Sequence, residues 1–151
     1  MIQTLSKSDI RKNFLDKRLQ LSFVQRFALS KKIHNNLIKQ SAYRKSKNIG
    51  IFMPIQNEPI LFLDHRKMNY VPVIKNEHLQ YCYLGKLLAR KSFNILEPIK
   101  KEHVQVKKLN LLIVPFIAFN EDLHRVGYGK GYFDRLLSLI VHQHYRPKIW
   151  G

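Results

Sequence analysis

The sequence predicts a three-layer, Rossmann-like α/β fold, in which a mainly parallel sheet carries helices on both faces. Short apolar, β-branched runs, such as residues 48–54 and 111–114, alternate with segments whose apolar residues recur at helical spacing. Runs that are apolar throughout are typical of strands buried on both faces, as in parallel sheets. At 151 residues, with no repeat or linker, the chain is expected to form one domain with a substantial core.

A first helix is predicted over about residues 6–20. Ser6 and Asp9 have the spacing of a capping box, and an apolar stripe follows, formed by Ile10, Phe14 and Leu21. Lys7 and Arg11 are four residues apart, so their side chains project from one face of this helix. On the residues alone, this pair indicates a solvated basic face.

A second helix is predicted over about residues 23–40, because Ser22 and Gln25 repeat the capping pattern. Its core candidates are Val24, Phe27, Ala28 and Leu37. A crossover helix is expected over residues 60–68, and a turn at Asn76 and Glu77. Strands are predicted at residues 48–54, 70–74 and 79–84. Cys82 lies in the last of these, which favours a buried side chain over a nucleophile.

The stretch from residue 111 to residue 138 carries the strongest functional signal. An apolar run leads through a polar connection into a loop with three glycines at alternate positions (Gly127, Gly129 and Gly131), and a helical pattern follows. This arrangement places backbone N–H groups and a helix N-terminus in front of an anion. Arg125 and Lys130 add positive charge, and Asp134 lies in the first helical turn, within reach of a bound Mg²⁺. The glycine spacing alone favours an ordinary turn, since it matches neither common nucleotide-binding pattern.

The composition limits the partners and the compartment. Lysine and arginine number 27 against 10 acidic residues, which gives a net charge of +17. Such a charge favours a polyanionic partner: nucleic acid, an anionic surface, or a substrate rich in phosphate and carboxylate. The basic residues are spread along the chain, and signatures of a recognition helix or RNA-binding aromatics are absent. Without a long apolar run, a secretory signal or a cysteine pair, the sequence indicates a cytoplasmic protein.

The string around the glycine loop resembles the signature of the 5-formyltetrahydrofolate cyclo-ligases, which reads approximately VPGxAFDxxGxRLGYGxGYYDR. The matching residues are Val114, Pro115, Ala118, Phe119, Arg125, Gly127, Tyr128, Gly129, Gly131, Tyr132, Asp134 and Arg135. Among the positions that depart from the pattern, Leu123 replaces a glycine and Asn120 an aspartate. If the turn requires a positive φ, leucine would be strained by about 1–2 kcal/mol. Residues 93–98 resemble a second family stretch, with Asn94 in place of a glycine.

The resemblance implies an ATP- and Mg²⁺-dependent ligase. Such an enzyme cyclises 5-formyltetrahydrofolate to 5,10-methenyltetrahydrofolate through a phosphorylated formyl group, an imino phosphate. Lys130 and Arg125 are then the catalytic residues, Met53 and Glu58 bind the substrate, and Asp134 binds the metal. The implied ATP-binding residues are Lys7, Ser8, Asp9, Ile10, Arg11, Arg125, Val126, Gly127, Tyr128, Gly129, Lys130, Gly131, Tyr132 and Phe133.

The resemblance also implies a monomer with a small-molecule substrate, and neither a specific nucleic acid nor a membrane as partner. The pattern from Lys148 to Gly151 predicts the beginning of a further strand, and the family's sequences continue beyond this point. A single domain over residues 1–151 that lacks the family's C-terminal strands is therefore expected. Two alternatives remain open: an inactive nucleotide-binding remnant of this family, and a basic nucleic-acid-binding module.

Overall fold

The computed structural model describes residues 6–91 and 95–151, so Phe93 and Asn94, which belong to the second family-like stretch, lie outside the described residues. The helices are α1 (Lys7–Leu19), α2 (Phe23–Lys39), α3 (Ser41–Lys45) and α4 (Tyr132–Ile140). The strands are β1 (Asn48–Gly50), β2 (Met68–Lys75), β3 (His78–Tyr83), β4 (Leu88–Arg90), β5 (Leu96–Pro98), β6 (His103–Val104), β7 (Leu111–Ile113), β8 (Ala118–Phe119), β9 (Arg125–Val126) and β10 (Lys148–Trp150).

Six of these strands form the main sheet, in the order β10-β7-β1-β2-β3-β6. The four strands from β10 to β2 are parallel to one another, whereas β3 and β6 join antiparallel. Two small antiparallel pairs, β4–β5 and β8–β9, lie outside this sheet. The carboxyl ends of the parallel strands consequently meet at one edge, where ligands of such sheets collect.

Alternate residues of β7 supply two separate cores, one on each face of the sheet. Leu111 and Ile113 pack in a cluster with Tyr43 of α3. Leu112 packs on the opposite face, in a cluster with Leu136 of α4. Helices therefore cover both faces, and the predicted three-layer α/β architecture is confirmed.

The two N-terminal helices begin as predicted, but they bury less than predicted. Both capping boxes are formed, with Ser6 and Ser22 as the N-cap residues. Contrary to the predicted apolar stripe, α1 has no buried residue, because it lies against β8 and β9 instead of the sheet. In α2, Val24 is 75% exposed, Phe27 and Ala28 are also exposed, and Leu37 packs against the core.

The predicted crossover helix over residues 60–68 is wrong. Residues 58–64 have no regular secondary structure, and β2 already begins at Met68. Apolar side chains of this segment reach different neighbours: Leu61 packs against the core, and the Phe62 ring meets Phe27 edge-on at 5.5 Å. The Ile60 N–H donates to the Ser30 hydroxyl at 2.9 Å. These contacts lead in different directions, and the segment makes them without regular secondary structure.

Cys82 lies inside the sheet, as its place in an apolar strand predicts. Its side chain is 0% exposed, and its Sγ lies 3.3 Å from His103 Nδ1. Burial raises the pKa of the thiol, with the negative charge of Glu97 adding to the shift and Lys101 opposing it. The thiol is therefore shielded and protonated, which does not suit a nucleophile.

Candidate active site

A cleft with a cavity volume of about 670 Å³ opens at the carboxyl ends of β1 and β7. Its walls come from α1, from the segment after β1, from the β2–β3 hairpin, and from the segment that runs from β7 into α4. Apolar side chains form much of the lining, namely Leu15, Phe52, Met53, Ile55, Ile74, Leu79, Ile95, Ile117, Val126 and Phe133. A mostly apolar lining with a few polar groups is typical of a site for an organic ligand.

The glycine loop, residues 127–131, is held against α1. The Arg11 Nε donates a hydrogen bond to the Gly127 carbonyl oxygen at 2.7 Å. Gly129 has a φ of +87°, and a Cβ there would lie 3.3 Å from the Arg11 guanidinium carbon. The close approach of α1 to this loop therefore depends on glycine at position 129.

Positive charge surrounds the loop. Lys7, Arg11, Arg125 and Lys130 all line the cleft, from two segments that are distant in sequence. The exposed carboxylate of Asp134 accepts a hydrogen bond from Arg125 Nη2 at 2.5 Å. Four cationic side chains and one paired carboxylate give this end of the cleft a net attraction for anions.

The same cleft contains a buried carboxylate. Glu58 is 2% exposed, and its Oε2 accepts the Ile55 N–H at 2.9 Å. Its Oε1 accepts the Tyr128 hydroxyl at 2.7 Å. Burial raises the pKa of Glu58, while these hydrogen bonds and the charges of Arg18 and Arg26 oppose the rise. Burial, together with Glu58, also raises the pKa of Tyr128, so its hydroxyl stays protonated and donates.

The sequence model of the 5-formyltetrahydrofolate cyclo-ligase family matches residues 3–149. The chain belongs to this family. The cyclo-ligase of Mycoplasma genitalium is 30% identical over 136 residues, which cover 89% of this chain and 78% of that relative. The solved structure of the Aquifex aeolicus 5,10-methenyltetrahydrofolate synthetase is 31% identical, with a TM-score of 0.77, over 89% of this chain and 73% of that one. A Mycoplasma pneumoniae synthetase, 23% identical, shares the fold, with a TM-score of 0.72 over 92% of this chain and 81% of its own.

Most residues that the cyclo-ligase resemblance selects lie in this one cleft. Its lining includes Lys7, Arg11, Met53 and Glu58, together with every residue from Arg125 to Asp134. The resemblance to the cyclo-ligases thus selects two segments, one near each end of the sequence, that the fold brings together.

Three of the residues selected for ATP, Ser8, Asp9 and Ile10, do not contribute to the lining of the cleft in the described part of the chain. The Asp9 carboxylate accepts the Ser6 N–H at 3.3 Å, and the Ser8 hydroxyl lies 2.7 Å from that of Ser6. The Asp9 side chain therefore completes the capping box of α1, which carries the basic pair, and Ser8 contacts its N-cap residue.

The β2–β3 hairpin and Glu97 also contribute to the cleft, and sequence reasoning did not assign them. The hairpin contributes Pro72, Ile74 and Leu79, and an ordinary apolar pattern gives no sign of this role. Glu97 is buried and pairs with Lys101. Its signal was the family-like stretch over residues 93–98, which resembles the cyclo-ligase pattern without pointing to a role.

The hairpin β8–β9 tests the departure of this chain from the cyclo-ligase signature. The Leu123 N–H closes the turn by donating to the Asn120 carbonyl oxygen at 2.9 Å. Leu123 has a φ of +63° and is 77% exposed. Leucine therefore adopts the left-handed conformation that the family's glycine would accept freely, at a cost of about 1–2 kcal/mol.

The carboxylates of the cleft do not form a metal site by themselves in the described residues. Within residues 6–91 and 95–151, no group of three or more His, Cys, Asp or Glu side chains is placed to hold a metal. Mg²⁺ is commonly bound by one or two carboxylates together with phosphate oxygens and water. Asp134 beside the basic end of the cleft suits such a shared ion.

Within residues 6–91 and 95–151, no helix has the length and apolar character needed to cross a bilayer.

Proposed function

We propose that this chain cyclises 5-formyltetrahydrofolate to 5,10-methenyltetrahydrofolate in a reaction that requires ATP and Mg²⁺. The match to the cyclo-ligase family over residues 3–149 carries this proposal. The arrangement of the cleft supports it, because a basic end suited to phosphates and a buried carboxylate share one apolar cavity.

The chemical difficulty lies in the formamide of the substrate, whose carbon is a weak electrophile and whose oxygen is a poor leaving group. Transfer of the γ-phosphoryl group of ATP to the formyl oxygen would release ADP and give an imino phosphate. Attack of N10 on its carbon would then close the ring and expel inorganic phosphate. Catalysis of phosphoryl transfer consists mainly of positioning and charge neutralisation. The protein therefore needs no side-chain nucleophile.

The basic end of the cleft would hold the triphosphate. Lys7 and Arg11 approach it from α1, and Arg125 and Lys130 from the glycine loop side. Lys130 and Arg125 neutralise the charge that develops during transfer, and the loop N–H groups donate to phosphate oxygens. Asp134 would hold the Mg²⁺ that the phosphates share.

Met53 and Glu58 would hold the folate. Met53 packs against the core and faces the cleft, so it offers a fixed apolar surface to a flat ring. The buried Glu58 carboxylate offers acceptor capacity to the N–H donors of a pterin. Its hydrogen bonds to Ile55 and Tyr128 fix its orientation in advance of binding.

The test is the appearance of methenyltetrahydrofolate absorbance in the presence of 5-formyltetrahydrofolate, ATP and Mg²⁺. Omission of either ATP or Mg²⁺ is expected to abolish the signal. Lys130→Ala and Asp134→Ala should lose turnover while their circular dichroism spectra match the wild type. Lys12→Ala, on the exposed side of α1, is the matched control and should retain the wild-type rate. A Lys130 or Asp134 variant with full rate would remove that residue from the proposed mechanism.

The same assay separates the alternatives. ATP binding without turnover would identify an inactive nucleotide-binding member of the family. Salt-sensitive binding of RNA or DNA without turnover would favour a nucleic-acid-binding role, which the net charge of +17 makes worth measuring.

A further inference from the structure

We infer that Arg18 is a positioning residue, which acts from α1 through the Tyr128 hydroxyl to orient the Glu58 carboxylate in the cleft. The inference rests on the proposed function in one respect, because it treats Glu58 as the folate-binding carboxylate. Arg18 itself does not belong to the lining of the cleft in the described residues. Its effect on a ligand must therefore pass through its neighbours.

The Arg18 guanidinium joins three segments that form the cleft. Its Nε donates to the Gln56 carbonyl oxygen at 3.0 Å, and its Nη1 to the Phe116 carbonyl oxygen at 3.3 Å. Its Nη2 donates to the Tyr128 hydroxyl oxygen. A planar guanidinium can serve three acceptors in different directions at once, whereas the ammonium of a lysine is a compact point charge.

The shared hydroxyl gives this contact a consequence for Glu58. The Tyr128 oxygen carries one hydrogen, and arginine can only donate, so the Tyr128 hydrogen is directed towards the Glu58 Oε1. Without Arg18, the hydroxyl is free to rotate and to serve water. Arg18 therefore decides which way the Tyr128 hydroxyl points and keeps one Glu58 oxygen fixed.

The loop that carries Glu58 is fastened to α1 by a second set of contacts. The Asn57 side-chain amide donates to the carbonyl oxygens of Arg18, Leu19 and Leu21 at 3.3, 3.3 and 3.1 Å. Gln56 and Asn57 both have positive φ values, 45° and 59°. Conformations of this kind persist where the surrounding contacts hold them.

α1 therefore contacts both the glycine loop and the Glu58 loop. Its first turns carry Lys7 and Arg11 at the basic end, and its last turn holds the Glu58 loop. Because α1 has no buried residue, its position depends heavily on these polar contacts. A change in the position of α1 is accordingly expected to alter the orientation of the Glu58 carboxylate.

A double-mutant cycle of Arg18→Met and Tyr128→Phe tests the inference. Arg18→Met should raise the KM for 5-formyltetrahydrofolate by about tenfold, the effect of losing a hydrogen bond to a charged group, and the KM for ATP by less than about threefold. In the double variant the two folate effects should combine to less than their product, because both substitutions break the connection from Arg18 through Tyr128 to Glu58. Single effects that multiply, or equal changes in both KM values, would overturn the inference.

Lys12→Met is the matched control, because it removes one positive charge from the exposed side of the same helix. Its KM values should equal those of the wild type. Arg18→Lys keeps the charge but loses the planar guanidinium with its three hydrogen bonds. Its KM for 5-formyltetrahydrofolate should lie between those of Arg18→Met and the wild type.

The pH profile gives a readout that a general loss of structure would not produce. Burial raises the pKa of Glu58, while Tyr128, Arg18 on α1 and Arg26 on α2 lower it. Removal of Arg18 should therefore shift the acid limb of folate binding to higher pH, and Lys12→Met should leave it in place. An unshifted limb in Arg18→Met would contradict the proposed role.

A crystal structure of Arg18→Met separates this inference from the proposed function. The Tyr128 hydroxyl is expected to leave the Glu58 Oε1, from which it is 2.7 Å away in the wild type. Retention of that hydrogen bond would overturn the inference even if the wild type had no cyclo-ligase activity. Absence of turnover in the wild type would refute the proposed function alone.

Discussion

Gly129→Ala tests whether the glycine loop depends on its backbone conformation. The φ of +87° at this position would strain an alanine by about 1–2 kcal/mol. The new Cβ would also lie 3.3 Å from the Arg11 guanidinium carbon and so disturb the hydrogen bond to Gly127, worth about 0.5–1.5 kcal/mol. The smaller entropy of the unfolded alanine chain offsets about 0.4–1 kcal/mol. The net expectation is a loss of about 1–2 kcal/mol in the free energy of unfolding.

Thermal and urea denaturation of the protein without ligand measure this loss. The melting temperature of Gly129→Ala should fall by about 2–8 °C, given the usual entropy of unfolding for this chain length. Gly127→Ala is the matched control in the same loop, because its φ is not positive and a Cβ there meets no atom within 4 Å. It should be as stable as the wild type or slightly more stable. A Gly129→Ala protein as stable as the wild type, or a Gly127→Ala protein equally weakened, would refute the reasoning.

Three further changes concern stability. Leu123→Gly should gain about 0.5–1 kcal/mol in urea denaturation, because it relieves the positive φ of an exposed leucine; Leu123→Ala keeps that φ, and an equal gain from it would contradict this account. Since burial raises the pKa of Glu58 above 4.5, the folded state holds this proton more tightly than the unfolded chain. The free energy of unfolding of the wild type should therefore fall relative to that of Glu58→Gln as pH rises from 4.5 towards the raised pKa. Urea denaturation at several pH values measures this difference, and a difference that does not change with pH would contradict the expectation. Lys67→Met removes an ammonium that donates to three backbone carbonyls between residues 43 and 46. Urea denaturation should show a loss of about 1–3 kcal/mol in the free energy of unfolding. Lys45→Met, at an exposed position, is the control and should show no change.

The features that the sequence predicted well are determined locally. The caps at Ser6 and Ser22 involve residues three positions apart, so a short pattern contains the whole interaction. The strand, glycine loop and helix around Gly129 are likewise contiguous, and the cost of leucine at position 123 follows from its own backbone angle. In each of these cases one short segment held all the information that the prediction needed.

The features that the sequence predicted poorly are decided by distant parts of the chain. Residues 60–68 were predicted to form a crossover helix, but residues 60–62 make contacts with three different neighbours and have no regular secondary structure. An apolar stripe was predicted for the first helix, but α1 lies against β8 and β9 and has no buried residue. Apolar character alone did not reveal which surface each segment would meet.

The candidate site shows the same division. Residue spacing alone favoured a solvated face for Lys7 and Arg11, and the resemblance to the cyclo-ligases, not their spacing, linked them to the glycine loop. The hydrogen bonds that join Arg18, Tyr128 and Glu58 connect positions 110 and 70 residues apart. No local pattern encodes such contacts, so the structure was needed to find them.

The buried thiol of Cys82 can report on partial unfolding of the protein. It is the single thiol of the chain, and a disulfide reagent can attack it only after β3 has separated from its neighbours. Detachment of α1 would leave this sulfur covered, because that helix lies elsewhere on the molecule. The labelling rate therefore distinguishes opening of the central sheet from release of the N-terminal helix, and no engineered tag is required.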